Sequence, residues 1–330
     1  MLNQTTPPPG GDSNAEIAQP DQSVVTSSPA LLKLWWEKHK AGLVRNDPEL
    51  LVLRRAGETE EGYTWGTVFY SKAREDYKTK VSSLPSERAA AFDQELMAQL
   101  QIGRAGNLLI FANPNSIVPG HLVVYPAEQR EELTLEDVRD MCRLATEQTA
   151  WTFIHNMPRA AASIVDWVHY QAYPWEFPLQ HEAVETIYDS EKLNLSRLPE
   201  TYPAYALMIT SENEDLLASW LFEMLSALAA GSAASGGKRT PCNIVWRGRR
   251  AWLIPRSLGQ TILAATYVGG LEMGGLFCLP NADQLRQYLP DALSAEVRHA
   301  SIAGEPKTRE WCEQTALEIA RRLASSDRAS

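Results

Sequence analysis

Two side chains two residues apart, His169 and Gln171 in "DWVHYQAYP", carry chemistry that few other pairs in the sequence match. A neutral imidazole is a good nucleophile near pH 7. A carboxamide donates N–H to a developing oxyanion without having to titrate. In an extended strand alternate residues share a face and stand roughly 6.5–7 Å apart. Trp167, His169, Gln171 and Tyr173 then point one way, and Asp166, Val168, Tyr170 and Ala172 the other. Both polar groups would reach a single phosphate: the imidazole attacks phosphorus and the amide holds a non-bridging oxygen. Taken alone, the strand also fits a histidine packed among aromatics.

The elements that would position this pair lie upstream. "NLLIFAN" is a compact apolar strand, "PNSIVPG" a turn with two prolines and a glycine, and "HLVVYP" a second strand closed by Pro126. "TLEDVRDMCRLATEQTAWTFIHN" follows as a helix, with Thr134 as its cap and Asp137 three residues on. Earlier, "LLKLWWEKHKAGL" and "SERAAAFDQELMAQLQ" have helical patterns and "YTWGTVFYSKARE" alternates as a strand does. Later, "AYALMI" is a strand, "NEDLLASWLFEMLSALAAG" a helix, and "CNIVWRGRRAWLIPR" a hairpin turning at Arg247-Gly248-Arg249. This later set copies the earlier plan weakly, with "NLLI" matched to "NIVW" and "HLVVYP" to "AWLIPR". It has no histidine between the hairpin and "GGLEMGGLF".

"HYQ", preceded by "AAAS" and by "NPNSIVPGHLVVYP" further upstream, resembles the histidine-triad (HIT-like) superfamily. The branch it resembles holds galactose-1-phosphate uridylyltransferase, diadenosine tetraphosphate phosphorylase and GDP-galactose phosphorylase. The resemblance implies an α+β fold of two related halves, each with an antiparallel sheet and packed helices. It places the nucleophile at His169 and the phosphate-holding amide at Gln171. Ser163 falls in the loop that approaches the phosphates, and Asn113 and His121 fall in the hairpin. Trp167 stands where the motif has its first histidine, and is expected as a pocket wall. Hydrolytic relatives have a histidine at the position of Gln171, so the glutamine favours transfer to an acceptor. The expected division is a disordered tail over 1–30, the half carrying the nucleophile over 31–190, and a second half without one over 191–330.

Composition narrows the remaining classes. A net charge of −10 and a pI of about 5.2 argue against long nucleic-acid partners but leave small anions open. The four cysteines are scattered without a CxxC pair, so neither a zinc site nor a disulfide framework is expected. No metal or organic cofactor is expected. The amino terminus lacks a basic region followed by an apolar core, and no apolar run reaches the roughly 20 residues of a membrane helix. A cytoplasmic protein is expected, with homodimer formation left open. "GSAASGGKR" fails the spacing of a phosphate loop and reads as a linker. Arg256, Lys72 and Arg74 are candidates to neutralise phosphates, "GGLEMGG" allows close backbone approach, and His155 and His181 read as surface or supporting residues.

The function these residues point to is nucleotidyl transfer through a covalent intermediate on His169. The donor would be a nucleotide sugar or dinucleoside polyphosphate, and the acceptor phosphate or a sugar phosphate. A catalytically silent nucleotide-binding protein and a hydrolase of the same superfamily are the alternatives.

Overall fold

Turn chemistry and strand composition fix the region around the candidate residues. In the computed structural model, residues 28–44, 52–56, 66–70, 94–162, 166–231, 240–257, 262–263, 266–279 and 290–326 are described. The amino-terminal segment opens with α1 (Ser28–Lys40), β1 (Val52–Ala56) and β2 (Gly66–Tyr70). Then come α2 (Gln94–Leu100), β3 (Gln101–Ala105), β4 (Leu108–Ala112) and β5 (Leu122–Pro126). The turn between β4 and β5 is closed by Asn113 N–H donating to His121 O at 3.1 Å. Gly120 sits there at φ 83°, and a Cβ on it would meet Pro174 Cγ at 2.8 Å. A glycine is therefore required both by the left-handed turn and by the approach of the hairpin to the chain after Tyr173.

The helix expected over 134–156 is shorter. α3 (Leu135–Glu147) starts at Thr134, whose hydroxyl accepts from Asp137 N–H while Asp137 Oδ2 accepts from Thr134 N–H. This reciprocal cap contributes about 1 kcal/mol. The helix stops at Gln148, and Thr152–Asn156 forms strand β6 instead. Every residue of β6 is buried, and a short β-branched and aromatic run enclosed on both faces reads equally as strand or buried helix. The remaining elements are β7 (Tyr170–Tyr173), β8 (Glu185–Asp189), β9 (Asn194–Arg197), β10 (Leu207–Thr210), α4 (Glu214–Ala230), β11 (Cys242–Arg247) and β12 (Arg250–Pro255). β13 (Ile262–Leu263), β14 (Thr266–Tyr267), α5 (Gly270–Met273), β15 (Leu276–Leu279), α6 (Pro290–Ala300) and α7 (Pro306–Ser326) complete them.

Ten strands make one antiparallel sheet in the order β3-β4-β5-β7-β6-β11-β12-β10-β9-β8. Five come from residues 101–173 and five from 185–255, and they join where β6 pairs with β11. β8, which a boundary at 190 would leave with the first half, lies at the outer edge of the second set. Counting outward from the seam, β11 takes the place of β6 and β12 that of β7. The expected match of "NIVW" to "NLLI" is therefore replaced by a match to "TFIHN". The strand in the place of β7, Arg250–Pro255, has no histidine.

Alternation along the strands separates two cores. Phe153, Tyr170, Ala172, Ile244, Trp246 and Leu253 pack with apolar residues of α3, α4 and α7. Trp220 of α4 donates its indole N–H to Ala316 O at 3.2 Å, tying two of those helices together. Ile154, Tyr173, Val245, Trp252 and Ile254 face the other way, under Phe177, Tyr202, Leu271, Met273 and Phe277. The side chain of Gln171 belongs to this second face, opposite Val123 and Ile154. Among the described residues, no helix is long and apolar enough to cross a membrane.

Candidate active site

The strand expected from Trp167 to Tyr173 begins at Tyr170, and His169 immediately precedes it. His169 is 3 % exposed. Its Nδ1 lies 3.0 Å from the main-chain oxygen of Trp167. A carbonyl only accepts, so Nδ1 carries the proton and the ring's lone pair is on Nε2. Burial pushes the imidazole below its ordinary pKa, with the Trp167 carbonyl acting in the opposite direction. The ring is thus held neutral, in the tautomer that nucleophilic attack by Nε2 requires.

A second histidine locks the same segment from the other side of the sheet. His155 on β6 donates Nδ1–H to the His169 main-chain oxygen at 2.8 Å. Of the surface and supporting places expected for it, it takes the supporting one: it is buried, because β6 is a central strand. Burial lowers its pKa to about 4. His181 is exposed and pairs with Glu176 at 3.0 Å.

Gln171 is oriented by its neighbour on the same face. The Tyr173 hydroxyl donates to Gln171 Oε1, which leaves the NH₂ end as the donor presented by the side chain. Tyr173 is itself fixed by stacking on His121, ring centroids 4.5 Å apart and 17° from parallel. His121 Nε2 lies 3.3 Å from Asn113 Nδ2, and Ile117 N–H points at its Nδ1 at 3.4 Å. The hairpin residues Asn113 and His121 therefore reach Gln171 through Tyr173. Trp167 packs against Tyr125 with centroids 4.9 Å apart, and Tyr125 also neighbours His169 at 6.1 Å.

On the same face the second set of strands supplies a buried polar frame. Asn243 Nδ2 donates to Asn156 Oδ1 at 2.7 Å and to Ala160 O at 2.8 Å. Its Oδ1 accepts from Arg256 Nη1 at 2.7 Å. Asn156 Oδ1 also accepts from Gly270 N–H at 2.8 Å, a distance at which a Cβ on Gly270 would collide with that oxygen. Glu272 Oε2 accepts from Gly269 N–H at 2.9 Å. Arg256 was expected to neutralise phosphates directly. It is buried, with Nε given to Ala300 O at 2.8 Å and Nη1 to Asn243, because the chain after β12 turns inward under Ser301. Burial lowers its pKa to about 10 while the Glu272 carboxylate opposes that shift, so it stays charged at neutral pH.

The small-residue loop after β6 is bent at two left-handed residues, Arg159 at φ 71° and Ala161 at φ 68°. Each costs roughly 1–2 kcal/mol in a residue with a Cβ. Ala160 stands between them, and its carbonyl is the one that Asn243 holds. Ser163 lies outside the described residues, as do Lys72, Arg74, residues 1–27 and most of "GSAASGGKR". Among the described residues, no three His, Cys, Asp or Glu side chains gather as a metal-ligand group. The four cysteines are free and buried.

Asn156, Asn243 and Glu272 were missed from the sequence. A signal existed for the first two: asparagine is disfavoured in strands, so one at the end of an apolar run marks a side chain with a hydrogen-bonding task.

A family described as a domain of unknown function (DUF4922) matches residues 87–174, the stretch that contains the β4–β5 hairpin, His169 and Gln171. No curated protein sequence matches the chain. Among solved structures it is similar to the yeast diadenosine tetraphosphate (Ap4A) phosphorylase Apa2, at 13% identity and a TM-score of 0.58, over 83% of this chain and 94% of that one. The same yeast enzyme in complex with AMP gives 15% identity and a TM-score of 0.57 over 83% and 96%. Its complex with Ap4A gives 14% and 0.56 over 83% and 96%. The chain has the HIT-like α+β fold of these structures.

Proposed function

We propose that the protein is a nucleotidyltransferase of the phosphorylase type, acting on a dinucleoside polyphosphate or a nucleotide sugar through a nucleotidyl-histidine at His169. In the first step Nε2 forms a bond to the α-phosphorus. The bond from that phosphorus to the bridging oxygen breaks, and the electron pair departs with the phosphate-bearing leaving group. Positive charge develops on the ring, and the Trp167 carbonyl opposite Nδ1–H lowers its energy. In the second step an oxygen of phosphate or a sugar phosphate attacks the same phosphorus, and the P–N pair returns to Nε2. Both attacking atoms carry a lone pair at neutral pH, so neither step needs a base. Gln171 NH₂ holds a non-bridging oxygen through both steps. Asn156 Nδ2 faces the small-residue loop beside Gly269 and Ala161 and is a second donor to the phosphate oxygens.

The observation that carries this reading is the fixed Nδ1–H tautomer of a buried, neutral His169, two residues before an amide already turned to donate. In the silent-binder alternative Trp167 would stack on a base and His169 would only hydrogen-bond; packing of the Trp167 ring on Tyr125 disfavours it. The likeness in fold to an enzyme that has been solved with Ap4A and AMP suggests the first substrate to try.

The experiment is product analysis with diadenosine tetraphosphate, ADP-glucose and a UDP-sugar, each with and without inorganic phosphate. With the first donor, phosphorolysis yields ADP and ATP only when phosphate is present. Release of AMP to water at the same rate with or without phosphate would make the protein a hydrolase. Binding without turnover of any donor would make it a silent binder.

A further inference from the structure

Both N–H donors and the oxygen of the Asn243 carboxamide have partners inside the protein. Its NH₂ donates to Asn156 Oδ1 and Ala160 O, and its oxygen accepts from Arg256. Turning the amide over would lose all three bonds, so its orientation is set. Asn156 Oδ1 is in turn taken by two donors, Asn243 Nδ2 and Gly270 N–H. The NH₂ end of Asn156 is therefore the end that faces Gly269 and Ala161. Arg256 is anchored at Ala300 O, outside the first set of strands altogether.

We infer that Asn243, held by Arg256, is a positioning residue for the His169 site, supplied by the half of the chain that lacks a nucleophile. It fixes which end of the Asn156 amide meets the substrate and where the Ala160 carbonyl, between two left-handed residues, is held. The second half is thus part of the active-site scaffold. This inference rests on the proposed nucleotidyl transfer.

Asn243→Asp separates positioning from bulk stability. The variant has the same size and keeps an acceptor for Arg256, with a charge that strengthens that contact. It replaces the donor with an oxygen facing two other oxygens, so the Asn156 amide either shifts away or turns over against the Gly270 N–H, and both moves take its NH₂ off the phosphate. The measurement is the single-turnover rate of adduct formation with diadenosine tetraphosphate, alongside the half-saturating donor concentration and thermal midpoint. The expected result is a rate about 100-fold lower. The half-saturating concentration stays within about threefold, since the change falls on geometry at the reacting phosphorus. The midpoint stays within about 5 °C.

Gly270→Ala pushes on the same Asn156 oxygen from another element and should show the same loss of rate, whether or not Asn243→Asp folds. Wild-type rates in the folded fraction of either variant would overturn the inference. If the wild type forms no adduct, the proposed function fails, and hydrogen exchange of residues 157–162 in the free protein decides the positioning role. Exchange about tenfold faster in Asn243→Asp upholds that role, and unchanged exchange rejects it.

Discussion

At position 167 the atom that matters is a main-chain oxygen. Trp167 replaces the first histidine of the motif that the sequence resembles, yet the contact orienting His169 is Nδ1–H to the Trp167 carbonyl, which any residue supplies. Restoring the motif with Trp167→His should therefore leave the rate of adduct formation within about twofold of wild type, because the tautomer is already fixed. A gain of tenfold or more in single-turnover kinetics would mean that the missing imidazole had a role of its own. What was legible is the local geometry: His169 placed two residues before Gln171, and the Asn113–His121 hairpin that packs beside them through Tyr173. Asn156 and Asn243 were not, because they are 87 positions apart and meet only once the sheet has formed. Arg256 was read as a group open to phosphates, and nothing in the sequence shows that it is buried against Ala300 and Asn243 instead.

Among the elements, β6 departs most from the pattern read in the sequence. "TFIHN" continued the apolar rhythm of α3, and a run buried on both faces carries no alternation to distinguish it. Its central place puts His155 in the interior, where the unfolded chain takes up a proton near pH 6.5 but the folded chain resists until about pH 4. Across that window the unfolded state binds more protons, so stability falls as pH drops from about 6.5 to about 4. At pH 5 the loss from His155 is on the order of 2 kcal/mol, and His169 adds to it in the same direction. Denaturant unfolding of wild type and His155→Gln at pH 7 and pH 5 checks this. The variant should lose less stability between the two, and equal losses would show that His155 does not titrate in that range.

For the whole molecule, the resemblance implied two halves each with its own sheet; residues 101–173 and residues 185–255 each supply five antiparallel strands to a single sheet. What the sequence did not show is how completely they merge, because edge pairing of β6 with β11 leaves no local mark. β8, β9 and β10 reach the rest of the sheet only through β12. A fragment of residues 28–190 would leave β8 without its partner and expose the edge of β6. That fragment is expected to show no cooperative unfolding transition by circular dichroism, while the full chain shows one. A cooperative transition in the fragment would make the first half an independent domain and weaken the case for a shared scaffold.

The proposed nucleotidyl-histidine at His169 would be visible as added mass. The most direct measurement is the intact mass of wild type and His169→Ala after brief exposure to diadenosine tetraphosphate or ADP-glucose without an acceptor. A gain equal to one adenylyl group is expected in the wild type alone, removed on adding phosphate. An equal gain in both proteins, or ligand binding by the wild type with no gain at all, would contradict a nucleotidyl-histidine at His169.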